Sequence, residues 1–212
     1  MSDMASATEA GRFIVLEGGE GSGKSTQAAR LADRLGALLT HEPGGTAVGA
    51  ALRALVLSDD ARTPGLDDRA EALIMAADRA QHVAEVIRPA LAGGRHVVCD
   101  RYIGSTLAYQ GYGRGLPVDE LRRLSLWASG GLWPDVIILL DVPQALASDR
   151  AAGRAEAPPD RVEAAGDGFH ERVAEGYRAL AAADPARWVV VDGAAPVDEV
   201  EAAVWKAISE RL

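Results

Sequence analysis

A three-layer α/β fold, with a five-stranded parallel sheet between helices, is what this sequence predicts. Five short apolar runs alternate with segments of helical spacing, the rhythm of strands joined by covering helices. The first run leads directly into Gly18-Gly19-Glu20-Gly21-Ser22-Gly23-Lys24-Ser25-Thr26, a G-x-x-x-x-G-K-[ST] loop that opens a helix, as in the P-loop NTPase-type folds. Charged or glycine-rich residues follow every run, as they do where an open parallel sheet collects its ligands outside the carboxyl ends of its strands.

In chain order, residues 13–16 (Phe-Ile-Val-Leu) read as a buried strand, and residues 27–35 carry Ala28, Leu31, Ala32 and Leu35 at helical spacing. Strands are predicted at 37–40, 96–99, 136–140 and 188–191. Helices are predicted at 47–57, 67–91, 118–129, 144–150, 169–183 and 197–212, with Pro89 ending or kinking the long one early. Two polar stretches interrupt the rhythm, 58–66 with Pro64-Gly65 and 153–168 with Pro158-Pro159, each a surface loop or a lid. The expected organisation is a flexible tail over 1–11 and one domain over 12–212, with a lid at about 150–168.

Composition narrows the function. At 212 residues the chain suits one domain with a full core. A net charge of −9 argues against general binding of nucleic acid or anionic membrane. The single cysteine, Cys99, excludes an internal disulfide and a multi-cysteine zinc site, and its apolar neighbours make it a buried strand residue. Neither a signal-peptide design nor a membrane-length apolar run is present, so a cytoplasmic enzyme is expected.

The glycine-rich loop carries the chemistry. Its glycines let consecutive backbone N–H groups turn around an anion, in front of a helix N-terminus that favours negative charge. Lys24 reaches for the β- and γ-phosphates of a nucleoside triphosphate, and the Ser25 hydroxyl is a ligand for Mg²⁺. Asp100, after the 96–99 run, offers a second metal contact, direct or through water, and Arg101 offers a cation to the same phosphates. Such a set suits phosphoryl transfer, which needs positioning and positive charge more than covalent help.

Beyond the loop, Glu42-Pro43-Gly44-Gly45-Thr46, Ala76-Ala77-Asp78-Arg79, Asp100-Arg101-Tyr102 through Ser105, Ala108-Tyr109-Gln110-Gly111 and Asp160-Arg161 occur in an order that resembles bacterial thymidylate kinases. The resemblance runs from about Arg12 to the C-terminus. It implies an ATP- and Mg²⁺-dependent kinase that converts dTMP to dTDP, acting as a homodimer. Residues 18–26 would hold the ATP phosphates, with Arg150 stacked on adenine. Lys24, Arg101 and the lid residue Arg154 would be the catalytic cations. Glu20 would accept a hydrogen bond from the deoxyribose 3′-hydroxyl, and Arg53 would hold the dTMP phosphate. Arg79, Thr106 and Gln110 would read the base, Tyr109 would exclude a 2′-hydroxyl, and Glu42 and Ser105 complete the substrate set.

Three positions depart from the family pattern. His41 stands where an arginine is usual, Met75 where an aromatic ring often covers the base, and the lid has few basic residues. His82, His96 and His170 are expected in surface or packing roles, and Trp127 and Trp133 in the core or an interface. Two other readings fit the loop alone: a kinase for a different base, or a non-catalytic nucleotide switch. The second is disfavoured because a guanine-reading switch uses an asparagine, and this chain has none.

Overall fold

The computed structural model describes residues 10–57, 65–153 and 161–211. Strand β1 (Phe13–Glu17) is buried along its whole length because it lies in the middle of a five-stranded sheet of order β2-β3-β1-β4-β5. The other strands are β2 (Leu38–His41), β3 (Val97–Asp100), β4 (Val136–Asp141) and β5 (Trp188–Asp192), and every pairing is parallel. Central parallel strands are covered on both faces, so their sequences are continuous apolar runs rather than alternating ones.

Alternate residues of β1 feed two cores. Ile14 and Leu16 pack with Ala28, Leu31 and Ala32 of α1 (Lys24–Leu35) and with Val200, Val204 and Ile208 of α9 (Val197–Ser209). Phe13 and Val15 face the opposite layer. That layer is built from α3 (Asp68–His82), α5 (Ile103–Thr106), α6 (Val118–Ala128) and α8 (Asp167–Ala183). Helix α2 (Ala47–Leu57) packs on α3, and α7 (Gln144–Ala152) packs on α8.

Three boundaries differ from the sequence reading for identifiable reasons. Asp67 is the N-cap of α3 rather than its first residue, its side chain accepting from the Arg69 N–H at 2.9 Å. Pro89 does not end the helical path. A π-helical turn at Val83–Ile87 precedes it and leads without a break into α4 (Arg88–Ala92), which carries Pro89 in its first turn. Residues 103–113, for which no helix is predicted, are helical throughout, α5 continuing as π-helix at Leu107–Gly113. Their glycines read as helix breakers but serve close packing. A Cβ on Gly104 would lie 2.6 Å from Glu17 Oε1, and one on Gly113 would lie 2.5 Å from the Phe169 ring.

Candidate active site

Strand register sets the site. Leu16 pairs with Asp100 across β1 and β3, so the phosphate loop and the Asp100-Arg101 pair leave the same sheet edge on neighbouring strands. Gly21 and Gly23 sit at φ 74° and 87°, conformations that side chains resist, and a Cβ on Gly21 would collide with the Ala147 carbonyl. No side chain caps α1 at Gly23 and no acidic residue occupies its first turn, which leaves that helix end suited to an anion. Lys24 is buried against this loop, Nζ donating to Gly19 O at 2.7 Å and to Ser22 Oγ at 3.3 Å. Burial, followed by the nearby charge of Arg101, lowers its pKa to about 8.

Ser25 Oγ donates to Asp100 Oδ2 at 2.5 Å, while Asp100 Oδ1 is buried with no partner among the described residues. A hydroxyl beside an orphaned carboxylate oxygen is a donor set that Mg²⁺ accepts, since this ion keeps several waters and takes few protein ligands. Among the described residues no group of three or more His, Cys, Asp or Glu side chains is arranged to hold a metal ion.

Arg101 is the hub. Its NH1 donates to Gly18 O, Ser105 Oγ and Tyr177 Oη at 3.0–3.2 Å; NH2 pairs closely with Glu20 and donates to Tyr109 Oη at 3.2 Å. This residue holds φ 71°, and no other described non-glycine residue has positive φ. Such left-handed backbone typically costs ~1–2 kcal/mol and persists where surroundings over-determine it. Here the backbone N–H of Arg101 is tied to Leu16 O at 2.9 Å and its carbonyl accepts from Cys99 Sγ at 3.1 Å. Arg101's charge holds the Glu20 carboxyl down at about 2. Beneath them Glu17 is fully buried, which raises its pKa, and it accepts from the N–H groups of Tyr102 and Ser105 and from the hydroxyls of Ser105 and Tyr177.

One cavity of about 500 Å³ runs from Lys24, Ser25 and Asp100 past Arg101 to Met75, Arg79, Thr106 and Gln110. Glu20, Glu42, Arg53, Ser105 and Tyr109 also line it, so most residues expected to bind substrate share one space. Arg79 is buried at its far end. It donates from Nε to Glu42 Oε2 (3.0 Å), from NH1 to Ser125 Oγ (3.2 Å) and from NH2 to Thr106 Oγ1 (3.1 Å), and its NH2 lies 2.9 Å from Glu42 Oε2 as an ion pair. Arg53 is exposed and donates to Pro43 O at 3.0 Å, beside the cis Glu42–Pro43 peptide. His41 also lines the cavity, and burial together with the charge of Arg53 lowers its pKa, so the cation there belongs to the arginine. Arg150 lies apart from these walls, donating to Gly193 O at 2.7 Å and Ala194 O at 3.2 Å after β5. Arg154, Asp160 and the rest of the 154–160 stretch of the expected lid lie outside the described residues.

Sequence reasoning missed several residues here. His82, expected in a surface or packing role, is wholly buried and does more than pack: Nδ1 lies 3.0 Å from Glu42 Oε1 and Nε2 2.6 Å from Thr40 Oγ1, so it braces the carboxylate that braces Arg79. Glu17, Glu71, Ser125 and Tyr177 likewise support the site from behind. One signal was available: Glu71, Asp78 and His82 recur at helical spacing on α3, a polar stripe on a helix that also carries the core residues Ala72 and Ala76. Cys99 is buried as expected. Trp127 is not core, being 81% exposed on α6, with Leu73 57% exposed on α3, which packs against α6.

A family model described as "Thymidylate kinase" matches residues 16–204. The thymidylate kinase of Solidesulfovibrio magneticus is 53% identical over 211 residues, covering 94% of this chain and all of that protein. Those of Synechococcus sp. (strain JA-2-3B'a(2-13)) and Deinococcus radiodurans are each 48% identical. They cover 94% and 95% of this chain, and 95% and 98% of their own lengths.

Proposed function

The chain belongs to the thymidylate kinase family, and from that premise we propose how its residues move a phosphoryl group from ATP to dTMP. The observation that carries the reading is that Lys24, Arg101 and Arg79 line one continuous cavity. ATP phosphates lie in the loop 18–26, where Lys24 exchanges the Gly19 carbonyl for phosphate oxygens. The base of dTMP lies against Met75, Arg79, Thr106 and Gln110, with its phosphate toward Arg53 and Arg101 and its 3′-hydroxyl on Glu20. Tyr109, buried and held through its hydroxyl to Arg101 and Glu20, is the wall that a ribose 2′-hydroxyl would meet. Ser25 and Asp100 are the residues that would hold Mg²⁺, which when bound neutralises charge on the β- and γ-phosphates. Arg101 presents its forked donors where the two phosphates meet, so charge growing on the transferred group finds a fixed cation. Arg154 and Arg150 complete the reading as lid cation and adenine contact, and the nucleotide substrates give the enzyme a cytoplasmic setting.

The test is coupled detection of ADP release with a panel of monophosphates. ADP formation that depends on dTMP supports the reading; preference for dCMP or AMP would overturn it. A second measurement probes the loop. Anionic phosphates raise the depressed pKa of Lys24, so ATP binding at about pH 8 is expected to take up part of a proton. Titration calorimetry in buffers of different ionisation enthalpy would then give different binding heats; identical heats would remove Lys24 from the phosphate contact.

A homodimer through α3 and α6 belongs to the same proposal, supported by the exposed Leu73 and Trp127 on adjacent helices. Leu73→Glu with Trp127→Glu would bury unpaired charge in that interface and weaken association by at least ~100-fold. Light scattering at micromolar concentration is expected to show the mass halved, and an unchanged mass places the interface elsewhere.

A further inference from the structure

Glu71 of α3 is fully buried, and both its carboxylate oxygens are engaged. Gln110 Nε2 donates to Oε1 at 2.6 Å, while Oε2 receives Arg114 NH2 at 3.3 Å and Arg161 NH2 in a close ion pair. A carboxylate facing two guanidinium groups only accepts hydrogen bonds, so the half of the Gln110 amide that meets it must be the NH2. The Gln110 carbonyl is thereby turned away from Glu71, and it meets no donor among the described residues. Gln110 lines the cavity beside Arg79, which commits three of its five N–H hydrogens to hydrogen bonds with Glu42, Ser125 and Thr106. The base end of the cavity thus presents guanidinium donor hydrogens beside one acceptor of fixed orientation.

We infer that Glu71 is a specificity-determining positioning residue, which locks the Gln110 amide so that its carbonyl faces the base. This rests on the reading of that end of the cavity as the base pocket. A donor beside an acceptor is complementary to a 4-oxopyrimidine, whose O4 accepts and whose N3–H donates. Cytosine presents the reverse, a 4-amino donor and an N3 acceptor, and would leave two buried polar groups opposed. Discrimination by mismatched buried hydrogen bonds is far steeper than discrimination by shape.

Glu71→Gln tests this because it keeps the shape and inverts the amide. Arg114 and Arg161 still require an acceptor, so the new side chain gives them its carbonyl and turns its NH2 toward Gln110. Gln110 must then answer with its own carbonyl and show its NH2 to the base. The expected result is a dTMP:dCMP ratio of kcat/KM lowered by ~10-fold or more, with KM for ATP unchanged. Gln110→Leu should lower the same ratio, and adding Glu71→Gln in that background should change it no further, because no amide is left to invert. The inference is overturned if Glu71→Gln keeps the wild-type ratio, or lowers it equally in the Gln110→Leu background. Should Glu71→Gln fail to fold, Gln110→Leu alone decides, an unchanged ratio sinking the proposal and a lowered one supporting it. Wild-type enzyme with no preference for dTMP would instead defeat the base-pocket reading itself.

Discussion

Lys24→Ala is expected to lower kcat by on the order of 10²–10³-fold, the usual loss when one fixed cation or donor is removed from a developing charge. The fold should survive. In the folded chain the Lys24 pKa falls from 10.5 to about 8, so the charged amine is less comfortable there than in the unfolded chain. A group whose pKa falls on folding opposes folding below that value, here by roughly 3 kcal/mol, and removing it relieves the cost. The ligand-free variant is therefore expected to melt no lower than the parent while single-turnover phosphoryl transfer collapses. A clear drop in Tm, or turnover near the parent rate, would contradict the assignment of Lys24 to the phosphates.

For Arg101→Ala the expected fall in kcat is larger, about 10³-fold or more, the range seen when an arginine is withdrawn from a transferring phosphoryl group. KM for dTMP should rise as well, because the same guanidinium orders Glu20 and Tyr109 in the monophosphate half of the cavity. Arg101→Lys should recover only a small part of the loss. Its ammonium restores the charge but cannot span Gly18, Ser105, Tyr177, Glu20 and Tyr109 with one planar fork. Full recovery by lysine would mean that charge alone matters at this position.

What the sequence made legible was whatever depends on neighbours along the chain. The strands were readable because a doubly covered parallel strand is an unbroken apolar run. The phosphate loop was readable because its function is a local backbone shape, and Asp100-Arg101 because they follow a strand end. The hidden parts depend on partners far along the chain. Gly104 and Gly113 resemble breakers until Glu17 and Phe169 are seen to occupy the space their side chains would need. His82 carries an open choice between surface and packing until Glu42 and Thr40 close on its two nitrogens. Glu71 on a helix is ordinary until Gln110, Arg114 and Arg161 arrive from three other segments. Trp127 carried an open choice between core and interface, and its exposure removes the first.

The left-handed backbone of Arg101 fixes where its guanidinium can lie. Glycine is the one residue that rests there without penalty, but the ~1–2 kcal/mol it would recover falls short of what leaves with the guanidinium, namely the hydrogen bonds to Gly18, Ser105, Tyr177 and Tyr109 and the counter-charge of Glu20. A library sorted for heat tolerance and one sorted for growth should therefore both keep the arginine, discomfort included.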